Sequence, residues 1–204
     1  MKRIVSILLC AVLLLSLAAC GASAPADTDD NAPASALELL ETVWNSYSDD
    51  EKFPAAGGDY SEENMRDGAP GNFSMDDADL LDSSLGFPAA EAGKIDGAAS
   101  LVHMMNLNTF TCGAFHAKDS GDVAALCASL RENILDRHWM CGFPDKLVIV
   151  TVGDYVVSVY GYTDLVDTFT AKLAAAYPSA KTVSDDPICL LYTSPSPRDR
   201  SLSR

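Results

Sequence analysis

Two runs of β-branched and aromatic residues, separated by only two residues, constrain the fold of this chain most strongly. Residues 147–152 and 155–160 each have the length of a strand, and Gly153 and Asp154 stand between them. Two strand-like runs joined by a glycine-first pair of this kind are typical of a β-hairpin. The sequence therefore predicts a hairpin over residues 147–160.

Apolar residues at helical spacing predict three helices around this hairpin. Ser35 and Glu38 have the spacing of a capping box, which opens a helix over 36–47. A second helix follows residues 119–122, and a third is capped by Thr163 and Asp164 and ends before Pro178.

Two further strands are predicted at 101–105 and 107–116, where Thr, Phe, Val and Met alternate with other residues. The order helix, strand, strand, helix, strand, strand, helix indicates an antiparallel sheet rather than a doubly wound parallel one. We therefore expect an α+β fold, a small antiparallel sheet with helices packed on one face. Residues 49–84 are rich in Gly, Asp, Ser and Asn and are predicted as a long acidic loop, apart from a short helix near 75–81.

The N-terminus has the pattern of a bacterial lipoprotein signal. Lys2 and Arg3 precede an apolar run at 4–17, and Ala18 and Ala19 stand directly before Cys20. The run is shorter than the roughly 20 residues of a bilayer-spanning helix. We expect a signal peptide at 1–19, palmitate-type acylation of Cys20, a flexible tether at 20–34, and attachment to the outer face of the cytoplasmic membrane. An ordinary signal peptide with a chance cysteine is the alternative.

The last residues differ in character from those before them. The string from Cys189 to Asp199 resembles the translation of a transposase sequencing adapter. We expect residues 188–204 to be an artefactual tail, with a disordered basic tail as the alternative. These boundaries leave a single domain over residues 35–187, a length that suits one hydrophobic core.

The charge balance limits the partners of this domain. The chain has 29 acidic and 14 basic residues, a formal net charge of −15, and five of the basic residues lie outside 20–187. A surface this acidic repels the phosphates of nucleic acid. The expected partners are the membrane, through the N-terminal lipid, and an envelope protein or small ligand; no nucleic acid is expected.

Four residues have the donor types of a zinc site: Cys112, His116, His138 and Cys141. Residues four apart on a strand are about 13 Å apart, whereas ligands of one zinc ion lie within about 4 Å of one another. Only a bulge or turn at Gly113 would bring the first pair together. We therefore expect packed thiols and surface imidazoles here, and no metal or cofactor.

A thiol nucleophile would require Cys112 or Cys141 beside one of the three histidines. Free cysteines are more often buried and inert, and Cys112, Cys127 and Cys141 allow at most one intramolecular disulfide. The sequence contains no phosphate-binding glycine loop, His-Glu-x-x-His, Gly-x-Ser-x-Gly or Cys-x-x-Cys motif. We expect a non-catalytic binding module, with a cell-surface thiol enzyme or hydrolase as the alternative.

Aromatic residues surround Cys141 and Gly142, where Trp139, Phe143 and Pro144 follow the second predicted helix. Such a turn either covers the edge of the sheet or forms an exposed recognition patch. We expect the first, because apolar turn residues more often close a core.

Three stretches resemble one protein family: 104–110 (MMNLNTF), 137–144 (RHWMCGFP) and 153–157 (GDYVV). They are similar to lipoproteins of gut-dwelling Gram-positive bacteria that carry the domain of unknown function 4358. The similarity covers about 37–177, and the acidic segment before Ser84 matches poorly. The resemblance implies a lipidated cell-surface protein without an assigned activity, and it names no catalytic residue.

Overall fold

The computed structural model of the protein describes residues 32–139 and 142–188. Cys20, the predicted signal peptide, most of the predicted tether, Cys141 and residues 189–204 lie outside the described residues. Within 32–139 and 142–188, no helix is both long and apolar enough to cross a bilayer.

The described residues form one antiparallel sheet and four α-helices. The strands are Ala55–Gly57 (β1), Arg66–Asp67 (β2), Gly71–Asn72 (β3), Ile95–His103 (β4), Phe110–Ala117 (β5), Lys146–Val152 (β6), Tyr155–Gly161 (β7) and Lys181–Pro187 (β8). The α-helices are Ala36–Asn45 (α1), Ala78–Leu85 (α2), Val123–Leu135 (α3) and Thr163–Ala176 (α4). The strand order is β2-β1-β4-β5-β7-β6-β8, with β3 also paired to β4. This arrangement confirms the predicted α+β fold with an antiparallel sheet.

The predicted hairpin is β6 and β7. The two strands pair from Lys146 opposite Gly161 to Val152 opposite Tyr155. Gly153 has a φ of 55°, which the first position of the two-residue turn requires and which glycine adopts without strain. All of β7 is buried, so the hairpin lies inside the molecule rather than at its surface.

Helices cover both faces of the sheet, so the prediction that they pack on one face was wrong. One hydrophobic cluster joins α1 and α4 to the sheet, and the other joins α2 and α3 to its opposite face. We call these the α1–α4 face and the α2–α3 face. Alternate strand residues divide between them: Cys112, Val157 and Val159 face α1 and α4, whereas Phe115 and Val156 face α2 and α3.

The handedness of strand connections explains this two-sided arrangement. Helix α3 links β5 to β6, and α4 links β7 to β8. In each case the chain skips the one strand that lies between the two, and both connections lead toward the β8 edge of the sheet. Strands β5 and β7 run antiparallel to each other. Two connections of the same hand must then lie on opposite faces, and crossovers between parallel strands are nearly always right-handed.

The segment predicted as a long acidic loop contributes strands β1 to β3 and helix α2. Strands β1 and β3 pair with β4 one after the other along its outer edge. Glycine permits the close approach of the chain here, because a Cβ on Gly57 would lie 2.3 Å from the backbone nitrogen of Gly71. The short helix begins one turn later than predicted, with Asp77 Oδ1 accepting a hydrogen bond from the Leu80 N–H at 2.9 Å.

Helix α4 also begins differently from the prediction. Its N-cap is Tyr162, which makes no side-chain cap, and Thr163 and Asp164 are the first residues inside the helix. Asp145, at the start of the preceding hairpin, accepts a hydrogen bond from the Thr163 N–H at 3.1 Å. A distant carboxylate therefore replaces the local cap, and its charge favours the helix N-terminus.

Strand β8 was not predicted from the sequence. It pairs with β6 and is mostly exposed, and its residues show no apolar alternation. Ion pairs hold it to the rest of the protein: Arg131 donates two hydrogen bonds to Asp186, and Lys146 lies 2.9 Å from Asp185. Charged residues of this kind also discourage edge-to-edge association of sheets.

Candidate functional site

A cavity lies on the α2–α3 face, at the end of the sheet that α2 and α3 do not cover. Helix α3 packs over β6 and β7, and α2 packs mainly against β5 and the turn before β4. Among the described residues, neither α2 nor α3 packs closely against β4 or β1 on this face. The cavity there has a volume of about 280 Å³, and Ala56, Ser100 and Val102 contribute to its floor.

The walls of the cavity are apolar, and exposed apolar side chains form its rim. Phe73 and Leu85 close two sides. Tyr60, Met65 and Met104 stand at the opening and are 70%, 56% and 50% exposed. We call this site the methionine cavity. Methionine side chains are flexible and polarisable, so a methionine rim adapts its shape to an apolar ligand.

The polar groups beneath the methionine cavity are already satisfied. The Ser100 hydroxyl accepts a hydrogen bond from the Gly58 N–H at 2.8 Å and donates one to the Gly58 carbonyl at 3.1 Å. Ser100 is fully buried, and these two bonds tie residues 58–65, which we call the β1 loop, to β4. The hydroxyl therefore serves as a structural tie, and the floor presents an apolar surface to a ligand.

Asp59 organises the loop that carries the rim. Its carboxylate accepts hydrogen bonds from the Ser61 N–H and hydroxyl, the Asn64 amide and the Ser74 N–H. Burial acts to raise the pKa of Asp59, but these hydrogen bonds outweigh it and lower the pKa to about 2. The carboxylate is thus ionised at neutral pH and cross-links the two ends of the loop.

A second pocket of about 250 Å³ adjoins the methionine cavity, with which it shares Ser84 and Leu107. We call it the arginine pocket, because Arg137, His138 and Trp139 contribute to its lining. Arg137 donates to the Tyr160 hydroxyl at 3.2 Å and to two backbone carbonyls at the end of α2, and its guanidinium lies over the Trp139 ring. These contacts fix the guanidinium in place.

A third hollow, of about 530 Å³, adjoins the methionine cavity on another side and shares Asp59 and Tyr60 with it. Glu63, Asp76 and Asp77 line it, so we call it the acidic hollow. The methionine cavity therefore adjoins both a cationic pocket and an anionic hollow.

The described members of the predicted zinc set lie apart. Cys112 is fully buried in the core of the α1–α4 face, whereas His138 lines the arginine pocket on the other face. His116 lies at the end of β5, with Nδ1 2.5 Å from Asp96 Oδ1. Across residues 32–139 and 142–188, no group of three or more His, Cys, Asp or Glu side chains could hold a metal ion. Cys141 lies outside the described residues.

The described thiols are poorly suited to nucleophilic chemistry. Burial raises the pKa of Cys112 well above its ordinary value and that of Cys127 to about 11. Both are free cysteines. His103 is engaged elsewhere, because its Nδ1 accepts a hydrogen bond from the Met105 N–H and its ring stacks on Phe53. A thiol that stays protonated at neutral pH is a weak nucleophile.

The aromatic turn after α3 contains both packed and exposed side chains. Trp139 packs against Tyr160 with ring centroids 5.4 Å apart, and Pro144 is buried, whereas Phe143 is partly exposed. Trp139 is thus part of the arginine pocket as well as part of the cover of the sheet. The sequence did not single out Met65, Met104 or Arg137, because they come from three separate segments that only the sheet brings together.

No family model, curated protein or solved structure matches this chain. The cavities and their chemistry therefore carry the functional conclusion.

Proposed function

We propose that this protein is a non-catalytic binding module of the cell envelope and that it binds an apolar group in the methionine cavity. The observation that carries the proposal is the cavity itself, an apolar hollow whose rim exposes Tyr60, Met65 and Met104. Ligand sites are typically concave and mostly apolar, with a few fixed polar groups.

The distribution of exposed apolar residues supports this site. Seven large hydrophobic side chains are exposed among the described residues, and three of them line this one cavity. Met105, a fourth, follows Met104 directly. Soluble proteins rarely gather exposed apolar side chains in one place unless something binds there.

The polar groups of the methionine cavity favour binding over catalysis. Ser100 and Asp59, the buried polar residues at the cavity, are committed to hydrogen bonds that hold the β1 loop. A nucleophile needs a base within hydrogen-bond reach, and the Ser100 hydroxyl is bonded to two backbone groups instead. His103 also lines the cavity, but its Nδ1 accepts a hydrogen bond from the Met105 N–H. A thiol enzyme that uses Cys141 stays a prediction.

The location of the module belongs to the same proposal. Lipidation of Cys20 would attach the protein to the outer face of the cytoplasmic membrane, as in the lipoproteins with the domain of unknown function 4358 that it resembles. The 14 residues between Cys20 and Ser35 would extend at most about 50 Å. The methionine cavity would then sample the space next to the membrane.

The test is calorimetric titration of 1-octanol into the chain from residue 20 onward carrying Cys20→Ser, so that no lipid is attached. We expect saturable binding that weakens at least tenfold in the double variant Met65→Ser, Met104→Ser, because the polar serines withdraw apolar contact from the ligand.

The matched control for this titration is Val183→Ser. Val183 is 54% exposed, as much as the two methionines, but lies on β8 away from the cavity. It should bind 1-octanol like the parent chain. Equal weakening in the control and the double variant would show that binding is not located in the methionine cavity, and an absence of saturable binding would disprove the proposal.

A further inference from the structure

We infer that the ligand is a single-chain anionic amphiphile whose apolar chain lies in the methionine cavity and whose acidic head lies in the arginine pocket. This inference rests on the proposed function and adds the charge and the orientation of the ligand. Carboxylate and phosphate heads share the required chemistry, which is a compact anion that accepts several hydrogen bonds.

The two sites are adjacent, and we call the two together the groove. Ser84, near the end of α2, and Leu107, in the turn between β4 and β5, line both the methionine cavity and the arginine pocket. A molecule of modest length can therefore occupy both at once. The volume of the cavity, about 280 Å³, suits one short chain rather than a two-chain lipid.

The charged residues around the groove favour an anionic head in the arginine pocket. Among the described residues, the lining of the arginine pocket contains Arg137 and His138 and no Asp or Glu, in a chain whose formal net charge is −15. The acidic hollow adjoins a different part of the methionine cavity and carries Glu63, Asp76 and Asp77. An anionic head is attracted to the first site and repelled from the second, so the ligand enters in one orientation.

Trp139, which lines the arginine pocket, has a buried hydrogen-bond donor that supports an acidic head. The Trp139 Nε1 atom is buried and has no hydrogen-bond partner among the described residues. The indole N–H can only donate, so a ligand oxygen is the partner that suits it. An unpaired buried donor is rare in native proteins and calls for an acceptor.

Arg137 has donors to spare in a fixed position. A guanidinium has five N–H donors, and three are used in contacts with Tyr160 and the carbonyls of Asp82 and Ser83 within the described residues. Because those contacts and the Trp139 ring hold the group in place, the remaining donors need little ordering to meet a ligand. Charge-assisted bonds from arginine to a carboxylate or phosphate are the stronger kind.

The experiment compares four ligands of equal chain length on the same protein, the chain from residue 20 onward carrying Cys20→Ser. Octanoate, octyl phosphate, 1-octanol and octyltrimethylammonium are titrated at low ionic strength. We expect octanoate or octyl phosphate to bind at least tenfold more tightly than 1-octanol, and octyltrimethylammonium to bind most weakly. The better of the two anions identifies the head.

Two variants locate the head. Trp139→Phe removes the indole N–H and keeps an aromatic ring against Tyr160, and His138→Gln removes the imidazole from the lining. Each should weaken the preferred anion by about threefold to tenfold and weaken 1-octanol less. His116→Gln, a histidine outside the groove, is the control for His138→Gln and should change neither.

The outcomes separate the inference from the proposed function. If 1-octanol binds as tightly as both anions, or if octyltrimethylammonium binds best, the anionic head is disproved while the apolar cavity stands. If the anions bind best but neither variant at the arginine pocket weakens them, the placement of the head is disproved. If none of the four ligands binds saturably, the proposed function itself fails.

Discussion

The two faces of the sheet differ in how completely helices cover them. On the α1–α4 face, α1 packs over β4 and β5, α4 packs over β6 and β7, and Leu39, Leu40 and Phe169 are fully buried. On the α2–α3 face, α3 covers β6 and β7, but α2 has only eight residues and does not reach across β4. The uncovered end is where the methionine cavity lies.

This difference assigns stability mainly to the covered α1–α4 face and binding to the partly covered α2–α3 face. A fully covered face removes its apolar surface from water and stabilises the fold by about 25 cal/mol for each Å² buried. A partly covered face leaves apolar surface available to a ligand, which then gains the same kind of energy on binding. We therefore expect substitutions on the α1–α4 face to change unfolding and substitutions at the cavity to change binding.

The largest effect is expected for Phe169→Ala on the α1–α4 face. Phe169 is fully buried and packs against Phe110, with ring centroids 5.6 Å apart. Loss of its ring should lower the free energy of unfolding by about 3–5 kcal/mol, measured by chemical denaturation. The affinity of the folded fraction for 1-octanol should stay the same, and a large loss of affinity would show that the two faces are coupled.

Gly57→Ala should act on the cavity side and have a smaller effect on stability. The new Cβ would lie 2.3 Å from the backbone of Gly71, so β1 and β3 must move apart. We expect a loss of about 1–3 kcal/mol in unfolding free energy together with weaker binding of 1-octanol.

Gly93→Ala is the matched control for Gly57→Ala, because a Cβ there meets no atom within 4 Å. It should alter neither quantity appreciably. Normal binding by Gly57→Ala would mean that the β1 loop does not shape the site.

The pH dependence of the loop tests the role of Asp59. Its pKa falls from an ordinary value of 3.8 to about 2 in the folded protein, so its contribution is present above about pH 4 and is lost as the pH falls through 2. By the linkage between protonation and folding, this lowering of the pKa corresponds to about 2 kcal/mol of folding stability.

Asp59→Asn has no carboxyl group to titrate at this position. The midpoint temperature of thermal unfolding should therefore fall less steeply between pH 5 and pH 2 for Asp59→Asn than for the parent chain. Parallel curves would rule out the hydrogen bonds from Ser61, Asn64 and Ser74 as the source of that stability.

The strands and helices with strong local signals were predictable from the sequence. The β6–β7 hairpin follows from two β-branched runs around Gly153, and α1 follows from Ser35, whose hydroxyl accepts a hydrogen bond from the Glu38 N–H at 3.0 Å as its capping-box position predicts. Each of these signals lies within a few residues, and tertiary packing reinforces it.

The elements that depend on distant partners could not be predicted. Strand β8 is polar and is held by Arg131 and Lys146 from other elements, and strands β1 to β3 are two or three residues long in a glycine-rich segment. The placement of helices on both faces follows from connection handedness, which the order of elements alone does not display.

The methionine cavity could not be predicted from the sequence either, although the sequence contains the apolar residues that form it. Tyr60 and Met65 are ordinary apolar residues in a segment predicted as loop, and Met104 is one near the end of a predicted strand. Their exposure becomes informative only when the sheet places them around one hollow. Trp139, by contrast, stands in a turn for which the sequence predicted packing, and its ring packs against Tyr160.

The most direct test of binding at the methionine cavity is methyl NMR of the protein labelled with ¹³C at its methionine methyl groups. The binding proposal predicts that 1-octanol shifts the Met65 and Met104 signals along one saturation curve. The Met75 signal should move little, because Met75 packs against the core of the α2–α3 face. Signals of Met65 and Met104 that stay fixed at ligand concentrations up to saturation, or shifts of equal size at all methionines, would contradict a ligand site in this cavity.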